Sequence, residues 1–225
     1  MESGMTQSKE MRNVKAILFD LDGTLIDTHD IILSSMKHTV NDVSGFEATD
    51  AELMAGVGTP LFDQMLHFIN GDEAKAEEMV AIYRRHNDAI HDDGVKSFPG
   101  TADALGKLRE MGYPMGVVTS KRHHMAVRGL QKCGILDYFE FVMGSDDWPE
   151  HKPAPGPILH GCELIGCLPE ECMYMGDSPY DIMAANAAGC ISAAALWGMF
   201  PRSELEMQRP DIILEDISQL PALLA

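Results

Sequence analysis

The chain has 225 residues, of which 45% are hydrophobic, and carries a formal net charge of −18 from 35 acidic and 17 basic side chains. That length supports one core, or one core with a modest insert. The acidity argues against nucleic acid or an anionic membrane as partner, because both are bound by clustered Lys and Arg. An acidic protein that handles anions has to neutralise them locally, which favours a bound cation.

No apolar run is long enough to span a bilayer. Residues 1–12 lack the basic-then-apolar order of a signal peptide, so a loose tail and a cytoplasmic protein are expected. The five cysteines, Cys133, Cys162, Cys167, Cys172 and Cys190, include no C-x-x-C pair. The spacing of Cys162, Cys167 and Cys172 is wider than structural zinc sites favour, which points to reduced, mostly buried thiols.

Ala16-Ile17-Leu18-Phe19 is an apolar run closed by Asp20-Leu21-Asp22-Gly23-Thr24. This is the pattern of a buried parallel strand that delivers its carboxyl end to a ligand crevice. Two carboxylates two residues apart repel unless a divalent cation, or a division into nucleophile and acid, keeps them together. Gly23 permits the tight turn that follows. From Asp27 to Lys96 the pattern becomes helical, with almost no strand signal. Ile31, Ile32, Ser35 and Met36 share one face, Leu61, Met65, Leu66, Phe68 and Ile69 a second, and Met79, Ile82, Tyr83 and Ile90 a third. Asp27 and Asp30 read as acids of a helix N-terminus. Gly56-Val57-Gly58-Thr59-Pro60 does not fit a phosphate-binding loop and reads as a turn between helices. Asn70-Gly71-Asp72 is a helix stop, turn and restart.

Strand–helix alternation then resumes. Pro99-Gly100-Thr101 starts a helix that runs to Gly112. Met115 to Ser120 is a second strand, followed by a helix closed by Gly134, with His123 and His124 at its exposed start. Phe139 to Met143 is a third strand, and Pro157 to Ile165 a helix stopped by Gly166. Cys172 to Gly176 is a fourth strand, Asp181 to Ala188 an Ala-rich helix, and Ile191 to Leu196 a fifth strand. Asp211 to Leu214 is a weaker sixth, and Ile217 to Leu224 closes the chain as a helix. The alternation predicts an α/β, doubly wound, Rossmann-like parallel sheet over residues 13–26 and 97–225. An all-helical unit over 27–96 interrupts it.

Parallel strands bring their carboxyl ends to one edge. There the chain places Asp20 and Asp22, then Thr119 and Ser120, then Asp177 and Asp181, with Lys152 just after the third strand. The carboxylates suit a magnesium ion, which takes hard oxygen ligands. Thr119 and Lys152 supply donors for phosphate oxygens. Arg84 and Arg85 are the arginines of the helical insert; they read first as a solvated pair, and alternatively one of them, taken as Arg84, faces the site and holds a substrate carboxylate or second phosphate.

In that order the stretch Asp20-Leu21-Asp22-Gly23-Thr24, Thr119, Lys152 and the Asp177/Asp181 pair resembles the four signatures of the haloacid dehalogenase-like superfamily. The insert resembles the helical cap of its first subclass, and the resemblance covers the chain from about Asn13 on. Lys152-Pro153-Ala154-Pro155 and Gly176-Asp177-Ser178 look most like phosphoglycolate phosphatases and a related group of bacterial pyrophosphatases. The resemblance implies a magnesium-dependent phosphatase acting on a small phosphorylated metabolite, with phosphoglycolate first and inorganic pyrophosphate close behind. It implies Asp20 as the nucleophile that becomes an aspartyl-phosphate and Asp22 as the acid and then base. Thr119, the Ser120 amide and the turn at Gly23 hold phosphoryl oxygens, and Lys152 offsets charge. Magnesium is held by Asp20, the Asp22 carbonyl and Asp177, with Asp181 orienting from behind. The Gly56–Pro60 region resembles the family's substrate-choosing loop. A phosphosugar mutase of the same fold, or a non-catalytic binding module, are the other readings. The sequence sets no oligomeric state, monomer or dimer.

Overall fold

Four apolar residues in a row leave no face for water, and Ala16–Phe19 (β1) is buried at every position. The computed structural model describes residues 13–225, so the expected tail over 1–12 lies outside the described residues. After β1 come β2 (Ile26–Asp27), α1 (His29–Met36), a π-helical turn over Lys37–Val43, α2 (Asp50–Met54), α3 (Leu61–Phe68), α4 (Glu73–Gly94) and β3 (Lys96–Ser97). The chain then alternates: α5 (Thr101–Glu110), β4 (Met115–Val118), α6 (His123–Lys132), β5 (Phe141–Met143), α7 (Gly156–Ile165), β6 (Cys172–Gly176), α8 (Pro179–Ala188), β7 (Ile191–Ala195), α9 (Arg202–Met207), β8 (Ile212–Leu214) and α10 (Gln219–Leu224).

The six longer strands form one sheet in the order β5-β4-β1-β6-β7-β8, and every pairing in it is parallel. From β1 the chain winds outward to β4 and β5, then returns to β6 and winds the other way. The crevice of such a sheet opens where the winding reverses, at the carboxyl ends of β1, β4 and β6. Alternate strand residues serve the two faces. Ile17, Phe19, Met115, Val117, Met173 and Met175 pack with Leu105, Leu108, Ala126 and Leu130 of α5 and α6. Ala16, Leu18, Val118 and Tyr174 pack with Ile158 and Cys162 of α7 and Ala184 and Ala185 of α8. Each buried Leu, Ile or Phe contributes roughly 1.5–3 kcal/mol of transfer free energy.

The helices from α1 to α4 bury a third cluster, with Ile32, Met36, Val40, Leu53, Met65 and Met79 at its centre. The restart at Asn70-Gly71-Asp72 is built as its residues require. Asn70 and Gly71 both have positive φ, and the Asp72 side chain caps α4 by accepting from the Lys75 N–H at 3.1 Å.

The elements differ from the sequence expectation in four places. Ile26–Asp27 and Lys96–Ser97 pair as two short antiparallel strands where the insert leaves and rejoins the core. Asp27 is therefore a strand residue, paired with Lys96 at 3.2 Å, while Asp30 does lie in the first turn of α1. The third strand starts at Phe141, because Leu136–Tyr138 is a 3-10 turn and the Phe139 ring packs edge-on to Phe19 instead of entering the ladder. Two short helices carried no periodic signal: α2, set by a capping box between Thr49 and Glu52, and α9. None of the described helices is long and apolar enough to cross a membrane.

Candidate active site

Lys152 is buried, with 3% of its surface exposed, and all three of its ammonium hydrogens are used. Its Nζ donates to Asp20 Oδ1 at 2.9 Å, Asp181 Oδ1 at 2.5 Å and Tyr174 Oη at 3.0 Å. The Tyr174 hydroxyl passes its own proton to the Val118 carbonyl at 2.8 Å. Asp181 Oδ2 accepts from the Ser178 amide and hydroxyl at 3.0 and 2.6 Å, part of the capping box that starts α8. The oxygens of Asp181 are thus occupied by protein donors. Asp20 Oδ2, by contrast, accepts no hydrogen bond from the described chain, and Asp20 lines a cavity of about 350 Å³.

Asp177 occupies a cradle that only glycine permits. Its Oδ1 accepts from Thr24 Oγ1 at 3.1 Å and its Oδ2 from the Met199 N–H at 2.7 Å. A Cβ on Gly23, where φ is +82°, would lie 2.2 Å from Asp177 Oδ2, and one on Gly198 would lie 2.2 Å from Asp177 Cβ. Any side chain at either position would displace the carboxylate.

Oxygens of Asp20, Asp177 and Asp181 lie within 4.8 Å of one another, and all three residues are buried. Three buried carboxylates therefore cluster around one ammonium, and the imbalance shows in the acidities of Asp20 and Asp177. Burial pushes the Asp20 carboxyl up to about 6, with Lys152 pulling down and Asp181 pushing up. Burial, then Asp181 and Asp20, hold Asp177 well above the usual carboxylate range. Burial works against the Lys152 charge, yet Asp181 and Asp20 keep its pKa well above that of a free lysine. A hard divalent cation fits this donor set. Asp20 and Asp177 line the cavity, unlike Asp181, and their oxygens are the ones open to such a cation, together with the Asp22 carbonyl, which accepts no hydrogen bond from the described chain.

Asp22 faces the same cavity, and its carboxylate is gripped by Lys121 Nζ at 3.1 and 3.0 Å and by Thr28 Oγ1 at 2.9 Å. Thr119 is buried. Its Oγ1 accepts from the Lys121 N–H at 3.2 Å, which leaves the hydroxyl proton to donate elsewhere. The Ser120 hydroxyl is committed to the Gly58 carbonyl of the insert at 2.7 Å. No hydrogen bond within the described chain engages the amides of Leu21, Asp22 or Ser120, a ready set of donors for phosphoryl oxygens.

The insert forms the opposite wall. Gly58, Thr59, Pro60, Leu61, Tyr83, Arg84 and Asn87 line the cavity, so the Gly56–Pro60 turn faces the site. Arg84 points to the cavity, whereas Arg85 lies in a separate surface groove with His38, Ile82 and His86. The structure thus brings together Asp20, Asp22, Gly23, Thr119, Ser120, Lys152, Asp177 and Asp181, with Arg84 across from them. Lys121, Tyr174, Met199 and Gly198 lie outside the residues that the sequence pattern picks out, whereas Thr24 closes the first signature. Lys121 follows the Thr119-Ser120 pair directly and was open to notice; Tyr174 sits in an apolar run and reads as core.

A sequence model of the family described as haloacid dehalogenase-like hydrolase matches residues 17–195. Among curated relatives, a protein named pyrophosphatase PpaX from Anoxybacillus flavithermus is 36% identical over 212 residues, 94% of this chain and 97% of that one. Among solved structures, a haloacid dehalogenase-like hydrolase from Streptococcus pneumoniae superposes with a TM-score of 0.83 at 25% identity, covering 95% of this chain and 99% of that one. A protein from Haemophilus somnus described as a predicted phosphoglycolate phosphatase superposes with a TM-score of 0.81, also at 25% identity and with the same coverage.

Proposed function

This chain belongs to the haloacid dehalogenase-like hydrolase family, and on that footing we propose that it is a phosphatase working through a phosphorylated Asp20. The observation that carries this reading is the asymmetry of Asp20: Lys152 fixes one carboxylate oxygen, and the other faces the cavity unengaged. That oxygen is the nucleophile. It attacks phosphorus, and the bond from phosphorus to the leaving oxygen breaks. Asp22, held at the mouth by Lys121 and Thr28, gives the leaving oxygen a proton. In the second half Asp22 takes a proton from water, the water oxygen attacks phosphorus, and Asp20 is released with inorganic phosphate.

Thr119 and the free amides of Leu21, Asp22 and Ser120 hold the equatorial oxygens. Lys152 offsets the charge that accumulates between Asp20 and phosphate. Magnesium is the cofactor this donor set fits. Asp20, Asp177 and the Asp22 carbonyl would hold it, and when bound it supplies the positive charge that lets an anionic nucleophile approach an anionic phosphate. Asp181 keeps Lys152 in place from behind. The insert serves as a lid over the cavity.

The substrate is small and phosphorylated. The name carried by the curated relatives favours inorganic pyrophosphate, and the structural neighbour from Haemophilus somnus favours phosphoglycolate. The test is phosphate release by purified protein in magnesium, with and without a chelator. Asp20→Asn is expected to fold and to lose about 10³-fold or more in turnover. Parent-like turnover by that variant would reject the nucleophile.

A further inference from the structure

Arg84 and Arg122 line the same cavity from different parts of the chain, Arg84 on α4 of the insert and Arg122 on the core loop that leads into α6. They are close enough for each guanidinium to oppose the charge of the other. Neither makes an ion pair or a side-chain hydrogen bond among the described residues. Elsewhere Arg128 is paired with Asp92 at 2.8 Å and Arg202 with Glu206 at 3.0 Å. Asp88 and Asp146 lie near Arg84, and Asp146 lies near Arg122 as well, so they offset part of the repulsion, but neither reaches ion-pair distance with either arginine. Lys121, the nearest other cation along the chain, is already spent on Asp22. In a chain with 35 acidic and 17 basic side chains, two guanidiniums that line one catalytic cavity without an ion-pair partner among the described residues call for an anion from outside.

Resting on the phosphatase reading and carrying it further, we infer that Arg84 and Arg122 form a second anion site. It takes the leaving-group end of a substrate with two anionic groups, a diphosphate or a phosphorylated carboxylic acid. Guanidinium forks match phosphoryl and carboxylate oxygens in pairs. Because one fork belongs to the insert and the other to the core, the bound anion converts a repulsion across the mouth into a bridge. The substrate itself thereby draws the lid onto the core, and a neutral-tailed ester or a sugar phosphate lacks the group that does so. Arg122 becomes a specificity-determining residue contributed by the core, facing Arg84 on the cap.

The test compares inorganic pyrophosphate, phosphoglycolate and p-nitrophenyl phosphate as substrates of the parent, Arg84→Gln, Arg122→Gln and Arg122→Lys. For the better two-anion substrate, the ratio of its kcat/KM to that of p-nitrophenyl phosphate is expected to fall about tenfold or more in each Gln variant, chiefly through KM. Arg122→Lys is expected to recover part of it. A fall confined to pyrophosphate assigns the site to a phosphoryl group, and one confined to phosphoglycolate assigns it to a carboxylate. An unchanged ratio in both Gln variants overturns the site. A binding arm keeps this separate from the chemistry: pyrophosphate is titrated calorimetrically into Asp20→Asn with and without Arg122→Gln. Weakening by about tenfold or more supports the site even if the parent turns over none of the substrates, and equal affinity rejects it.

Discussion

On the core wall of the cavity every hydrogen of the Lys152 ammonium is assigned and both oxygens of Asp181 are engaged. On the insert wall Arg84 makes no ion pair or hydrogen bond among the described residues, and a turn that includes glycine, threonine and proline accepts a hydrogen bond from one core hydroxyl. The difference follows from what each wall has to do. A nucleophile and its counter-charge gain from being fixed before the substrate arrives, because reorganisation then costs nothing at the moment of reaction. A wall that selects among leaving groups and opens for product gains from having few fixed contacts.

The largest expected effect comes from breaking the fixed wall. Lys152→Met leaves Asp20 and Asp181 as buried carboxylates without a counter-charge, and the loss of stability is expected to be about 3–5 kcal/mol, with turnover abolished. On the other wall Arg84→Met removes an exposed, unpaired side chain, and stability should change by no more than about 0.5 kcal/mol. Urea midpoints of the two variants check the contrast directly. Similar midpoints would mean that the buried charges are not a coupled cluster.

Next in size is the response to pH without metal. Burial raises the Asp20 carboxyl from 3.8 to about 6 in the folded protein. The folded state therefore binds this proton more tightly than the unfolded chain does. Stability from this group is present below pH 3.8 and is lost as pH rises towards 6, by about 3 kcal/mol at about 1.4 kcal/mol per unit. Asp177, also raised by burial, adds to the loss in the same direction. In chelator the urea midpoint should fall between pH 4 and 6, and magnesium should stabilise more at pH 7.5 than at pH 5. Asp20→Asn should flatten the first part of that slope. Equal magnesium stabilisation at the two pH values would contradict the charge imbalance read from the three carboxylates.

Much of the fixed wall was legible in the sequence. Apolar runs stop at Phe19, Val118 and Gly176, and the residues just beyond them are the ones that converge, because parallel strands share one carboxyl edge. What sequence did not disclose was what those residues rest on. Tyr174 supports Lys152 from inside an apolar strand, and its hydroxyl gains meaning only from the Val118 carbonyl on β4, across β1 in the sheet. Gly198 and Met199 reach Asp177 from beyond β7, a pairing that no local pattern encodes. The short strands β2 and β3 are two residues each, below the length at which alternation can register. On the insert wall, helical periodicity predicted the buried faces of α1 and α3. It could not say which of Arg84 and Arg85 faces the cavity, since both are exposed and adjacent.

The smallest expected effect falls where the two walls meet. Ser120 Oγ donates to the Gly58 carbonyl at 2.7 Å, at the mouth of the cavity. A second link, from Arg128 to Asp92 and to the Asp88 carbonyl, joins α6 to α4 further along. Ser120→Ala removes the first link and leaves the second. A part-buried hydrogen bond of this kind contributes about 1 kcal/mol, so global stability should shift by that much or less. The mouth, however, should open more often, because this is the hydrogen bond that ties Gly58 to the core. The expected signature is a KM raised about severalfold with kcat nearly intact, together with faster amide exchange over residues 56–61 and unchanged exchange in β1 and β6. If kcat instead fell as far as in Lys152→Met, the Ser120 hydroxyl would have to leave Gly58 and touch the transferring phosphate during turnover. The boundary between the fixed and the adjustable wall would then lie one residue further out than Thr119.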